Sequence, residues 1–131
     1  MSRAGPRRAL AVAALAGVLV LAGCAASRPA SPTGDHEMAP GARVRLADGS
    51  SLAYTRVRND SRCPPDVACI HAGWAEAEFV HAGGAAPGRT FVLSTRAGGE
   101  AFETGGWRFE LHELGRGASP PAAIRITRAA D

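Results

Sequence analysis

The chain predicts an all-β domain: a small antiparallel sandwich or barrel of about six strands, with one short-loop disulfide. Three observations carry this expectation. From Ala42 onward, apolar residues recur at a period of two, the pattern of strands with one face buried. Gly, Pro, Asn and Asp punctuate these runs, as turns require. Beyond the N-terminal leader no stretch repeats at the helical period.

"ARVRLA", residues 42–47, sets Val44 and Leu46 opposite Arg43 and Arg45, and Gly49 ends it. "SLAYTRVR", residues 51–58, places Leu52 and Tyr54 on one face. "GWAEAEFVH", residues 73–81, alternates Ala75, Ala77 and Phe79 with Glu76 and Glu78. "RTFVLST", residues 89–95, is a short apolar run. "GWRFELHEL", residues 106–114, turns Trp107, Phe109 and Leu111 one way and Arg108, Glu110 and His112 the other. "AAIRITRA", residues 122–129, directs Ile124 and Ile126 inward and leaves Arg125 and Arg128 near solvent. Antiparallel sheets with one wetted face give this alternation. The order of strands in the sheets does not follow from it.

The N-terminus predicts the compartment. Arg3, Arg7 and Arg8 precede an unbroken run of small and apolar residues from Ala9 to Ala22. The run is short for a membrane span and has the proportions of a secretory signal. It ends in Leu21-Ala22-Gly23-Cys24, which resembles a bacterial lipobox. That resemblance implies cleavage before Cys24 and acylation of its thiol and amine, palmitate included; two or three chains anchor stably where one does not. Residues 1–23 are therefore expected to be a lipoprotein signal peptide. Ala25, rather than Asp, follows the cysteine. In a Gram-negative cell this resembles the pattern for the outer membrane, facing the periplasm. Residues 24–41 are rich in Pro, Ser and Ala and are expected to be a flexible tether. The β-domain is expected to fill 42–131.

Cleavage changes the charge reading. The full chain carries 15 basic and 12 acidic residues. Losing Arg3, Arg7 and Arg8 leaves twelve of each, so the apparent basicity belongs to the leader and nucleic acid is not an expected partner. The expected partners are the membrane, through the lipid, and an envelope protein.

The densest motif is "DSRCPPDVACIHAGWAEAEF", Asp60 to Phe79. Pro64-Pro65 removes two backbone donors, so neither a helix nor a central strand runs through it. Cys63 to Cys69 is then a loop between strands. With Cys24 taken by lipid in an oxidising compartment, Cys63 and Cys69 are expected to pair. A ring of about seven residues is worth roughly 2–2.5 kcal/mol on the chain-entropy account.

Asp60-Ser61-Arg62-Cys63-Pro64, then Cys69, Ile70, Gly73 and Ala75, resemble the DSRCP-x4-C-x-W-x-G-x-A signature of small bacterial envelope lipoproteins. The flanking "SSLAYTRVRND" and "GWRFELHELGRGASPP" are similar to that family's strands, so the resemblance covers most of the domain. His71 stands where the family usually has Trp. The resemblance implies a small β-domain with a loop disulfide and implies no activity.

Sharper chemistry would rest on a few polar residues. Asp35-His36-Glu37-Met38 offers oxygen, imidazole and thioether donors suited to copper, giving a periplasmic copper-binding protein as an alternative function. Zinc is disfavoured, because five residues separate Cys63 from Cys69 and no second close pair exists. Ser61, His71 and Asp60 or Asp66 could be imagined as a nucleophilic set, but no Gly-x-Ser-x-Gly surrounds Ser61. Glu76 and Glu78 share one strand face as a solvated stripe. No catalytic residue, metal ligand or cofactor is expected, and the chain is not expected to be an enzyme. The expected function is a lipid-anchored binding or structural module presenting a disulfide-pinned loop, with Arg62, His71 and Trp74 as candidate contacts; the Arg62 fork is expected first to tie the loop to Asp60 or Glu76. A hydrolase or protease inhibitor is a second alternative.

Overall fold

The computed structural model describes residues 33–130. Eight strands run through them: β1 Gly34–Met38, β2 Arg43–Arg45, β3 Ser51–Asp60, β4 Ala75–Ala82, β5 Arg89–Ser94, β6 Ala101–Thr104, β7 Trp107–Leu114 and β8 Ala122–Arg128. They form two antiparallel four-stranded sheets, ordered β1-β8-β7-β6 and β2-β3-β4-β5. The sandwich, rather than a barrel, is the architecture.

The alternation read from the sequence decides which side chains enter the space between the sheets. Leu52, Tyr54, Ala75, Ala77, Phe79, Phe91 and Leu93 come from one sheet. Trp107, Phe109, Leu111, Ile124 and Ile126 face them from the other. A chain of near-parallel rings crosses this layer, Tyr54 to Phe79 at 5.0 Å, Phe79 to Phe91 at 5.9 Å and Phe91 to Phe109 at 5.5 Å between centroids. Offset pairs of this kind add to simple area burial. The buried Tyr54 hydroxyl donates to the Pro120 carbonyl at 3.0 Å, which removes the cost of an unpaired polar group.

Two strands were not expected from the sequence. The first corrects the domain boundary. Gly34–Met38, expected to be tether, is an edge strand paired antiparallel with β8 from Gly34↔Ile126 to Met38↔Ala122. Met38 is 1% exposed and belongs to the core. The domain therefore begins at least eight residues before Ala42. The physical reason is tertiary: β8 presents an unpaired edge, and pairing with it satisfies backbone groups that composition alone leaves to water. Arg125 on β8 also grips Asp35 on β1, at 2.7 Å and 3.2 Å. Residues 24–32 of the expected tether, Cys24 among them, and the signal peptide lie outside the described residues.

The second is β6, a four-residue strand hairpinned onto β7 through Gly105-Gly106. Both glycines have positive φ, 60° and 77°, as a two-residue turn of the mirror-image type demands.

β3 and β4 run between two poles. At one, Ser51 pairs with Ala82; at the other, Asp60 pairs with Ala75. The Cys63–Cys69 segment leaves from the second pole.

Candidate functional site

The site is built from its stem outward. Beyond Asp60 the β3–β4 ladder continues for a further rung on each side. The Ser61 amide donates to the Trp74 carbonyl and the Cys63 amide to the Ala72 carbonyl, both at 2.8 Å. The Ser61 hydroxyl donates to the Trp74 carbonyl at 3.0 Å and lies 3.2 Å from the Trp74 amide. Ser61 is thus a stem fastener, and its hydroxyl is committed to the backbone. Gly73 sits at φ +68°, and a Cβ there would fall 1.9 Å from the Ser61 carbonyl oxygen. Only glycine permits the stem to close.

Arg62 bolts this stem to the opposite sheet. Its guanidinium donates to Asp60 Oδ1 at 2.8 Å and Oδ2 at 2.6 Å, and to the carbonyls of Leu114 at 2.5 Å and Gly115 at 2.7 Å. The side chain is only 13% exposed. The planar fork of arginine suits this two-sided grip, and lysine could not reproduce it. Hydrogen bonding from Arg62 holds the Asp60 carboxyl below its ordinary range. Hydrogen bonding to Asp60 in turn raises Arg62 further above its own. Arg116 adds a second strap, from its guanidinium to the Cys63 carbonyl at 3.2 Å.

The tip beyond the stem is closed by the Cys63–Cys69 disulfide, with Cα atoms 5.9 Å apart. A turn inside the ring has the Val67 amide donating to the Pro64 carbonyl at 3.2 Å. Pro64 to Ala72 are exposed throughout.

The three candidate contact residues do not form one surface. Arg62 is turned inward, as a fork tying the loop to Asp60 requires, and its guanidinium bonds go to the protein's own groups. Trp74 is half-buried at the base of the stem, its indole donating to Glu76 at 3.1 Å, with the Arg96 guanidinium 5.1 Å from its ring centroid. His71 is exposed on the loop. The residues that the sequence did not mark as contacts are Val67, 54% exposed, and Ile70, 96% exposed. They are the only exposed large hydrophobics among the described residues. Their place in a Pro-Pro/Cys loop, outside any alternating run, is the one sequence signal, and it does not decide whether a side chain docks or projects.

Two other constellations hold residue types capable of chemistry. At the far pole Ser50 donates to Asp48 at 2.6 Å and lies 2.9 Å from His81 Nε2. In a nucleophilic relay the carboxylate orients the imidazole. Here it holds the serine, while His81 Nδ1 is buried without a partner. Ser50 and His81 are fully enclosed, out of reach of a substrate. The network is a structural tie, completed by the Trp107 indole donating to Asp48 at 2.9 Å. Hydrogen bonds from Ser50 and Trp107 hold the Asp48 carboxyl down at about 2. The copper set fares no better. Alternation along β1 sends Asp35 and Glu37 to the outer face and Met38 into the core, so the four donors do not converge. No group of three His, Cys, Asp or Glu side chains comes together among the described residues.

No protein-family description, curated protein or solved structure matches this chain.

Proposed function

We propose that the chain is a lipid-anchored protein of the bacterial envelope, and that its β-domain is a non-enzymatic binding module presenting a disulfide-pinned loop. The observation that carries this reading is the exposure of Val67 and Ile70 on a segment fastened from three directions. Leaving aliphatic side chains in water forgoes roughly 1.5–3 kcal/mol each. A loop that holds them there with a disulfide, a glycine-dependent stem and a buried arginine is built for presentation. Leu21 to Cys24 supply the anchoring half of the proposal. The same pinned loop favours one narrower reading, inhibition of a hydrolase or protease, in which the tip would occupy the enzyme's cleft.

Two measurements test the proposal. Cys24→Ser should move the chain from the membrane to the soluble fraction and leave its leader uncut; unchanged fractionation and processing would remove the anchor. The chain has no lysine, so carbodiimide cross-linking of intact envelopes, which couples its exposed carboxylates to a partner's amines, should trap the wild-type chain in a larger complex. Val67→Ser with Ile70→Ser should abolish that complex without altering the melting temperature. A chain that runs alone in both cases is not a binding module.

A further inference from the structure

Resting on the binding-module reading, we propose what the loop binds: the tip fits an aliphatic pocket with a basic rim on a second protein, reached from the pole of the domain opposite the one where the chain joins it. Four observations support this.

The first is shape. Val67 and Ile70 project from a closed ring, so the complementary surface is concave. Two aliphatic side chains cover far less than the roughly 1,600 Å² of a standard interface, and a flat tip-to-tip pair of this domain would bury too little. A pocket that surrounds the tip is needed. The concavity of about 340 Å³ on this domain has Ala123 and Ile124 in its lining, but its charged groups include Asp35 and Glu37, which would repel Asp66 instead of pairing with it.

The second is charge. From Cys63 to Trp74 the only formal charge is Asp66, and it is exposed beside Val67. A segment that docks on an anionic bilayer carries Lys or Arg; this one carries neither. A single exposed carboxylate next to the apolar contact calls for a cation at the rim of the partner's pocket.

The third is rigidity. The stem bonds and Arg62 hold the base, and the disulfide holds the tip. Little ordering remains to oppose binding, so a small contact suffices.

The fourth is direction. β1 starts at Gly34, opposite Ile126, and ends at Met38, opposite Ala122. Ala122 lies beside Leu114 on β7, and the Leu114 carbonyl receives Arg62. β1 therefore runs from the far pole toward the loop. Whatever precedes Thr33 joins the domain at the far pole, and a domain anchored through it carries the tip on its outward side.

The experiment places a photo-crosslinking amino acid at position 70 of the full-length chain in growing cells, with position 89, exposed at the far pole, as the second site. The expected result is a discrete adduct of one foreign protein from position 70 only. That protein, purified, should bind the full-length chain in detergent, about ten- to a hundredfold less tightly with Ile70→Ser and also less tightly with Asp66→Lys. Ile70 is 96% exposed, so its substitution should leave the melting temperature in place. Phospholipid adducts from position 70 would assign the tip to a membrane and overturn the proposal, as would adducts of the chain with itself. A foreign adduct from position 89 alone would keep the binding module but sink the tip. A partner indifferent to Asp66→Lys would refute the basic rim. Adducts at neither site would defeat the binding-module reading itself.

Discussion

Replacing Arg62 with Ala distinguishes a bolt from a presented side chain. The substitution removes two charge-assisted bonds to Asp60 and two bonds to the carbonyls of Leu114 and Gly115. Bonds to charged groups contribute about 1.5–3 kcal/mol each in net terms, but these four share one side chain and do not add. Asp60, 35% exposed, recovers water once its partner is gone. A loss of about 2–4 kcal/mol is therefore expected. For a domain of this size each kcal/mol moves the melting temperature by about 4–8 °C, so the variant should melt on the order of 10–20 °C lower. Arg62→Lys should fall between, because an ammonium cannot serve Asp60 and two carbonyls in one plane. The comparison has a pH signature. The folded Asp60 carboxyl titrates below its unfolded value of 3.8. Its contribution is thus complete above about pH 4 and is lost as pH falls through the lowered folded value. The gap between wild type and Arg62→Ala should be widest above that window and narrow below it. Thermal melts followed by circular dichroism at several pH values, with the disulfide intact, provide the measurement. An unchanged melting temperature accompanied by lost partner binding would refute the structural assignment and return Arg62 to the recognition surface.

Three further outcomes follow from the same geometry. A chain beginning at Gly41 lacks β1 and Met38 and uncovers β8. It should be destabilised by at least the roughly 2–5 kcal/mol of losing a buried methionine, and a melting curve superimposable on that of the longer chain would show β1 to be dispensable. Cys63→Ser with Cys69→Ser removes the ring, but the stem and Arg62 persist, so part of the chain-entropy contribution of roughly 2–2.5 kcal/mol returns as freedom of the native tip. Global stability should fall by only about 1–2 kcal/mol, while amide exchange rises sharply from Pro65 to His71 and stays low at Ser61 and Cys63; exchange that rises equally throughout the domain would contradict this. Asp48, held at about 2, stabilises the fold above its unfolded value of 3.8 and ceases to as pH falls through 2. Asp48→Asn should flatten the acid limb between pH 4 and 2 by about 1 kcal/mol after solvent screening; an acid limb identical to wild type would assign the loss of stability elsewhere.

Six strands were legible because their alternation is strong. Ala75, Ala77 and Phe79 against Glu76 and Glu78 admit one reading, and β4 buries the first set. β1 was hidden because Gly-Asp-His-Glu-Met holds one large apolar residue and sits among prolines; its strand state comes from the edge of β8. β6 was marked only by Gly105-Gly106, a hairpin signal weakened by the single large apolar residue before it. The disulfide followed from compartment and count, and the structure closes it. The tie of Arg62 to Asp60 was legible, but its reach to the other sheet was not. Asp60 was a visible partner, but the carbonyls of Leu114 and Gly115 are more than fifty residues away. Exposure of Val67 and Ile70 was equally unreadable, because a loop's apolar residues dock or project according to neighbours that only the fold brings near.

The antiparallel seat of β1 on β8 also sets how the domain bears load. A pull between the chain preceding Thr33 and the loop tip acts along the strand axis, from one pole to the other. In that geometry the cross-strand hydrogen bonds of β1 share the force and must yield together, as in shear, whereas a sideways pull on the same strand would open them one at a time like a zipper. The Arg62 bolt passes tension arriving at the loop into β7 as well as β3. A thin edge strand thereby becomes a tensile link, strongest in the direction along which an outward partner would tug it.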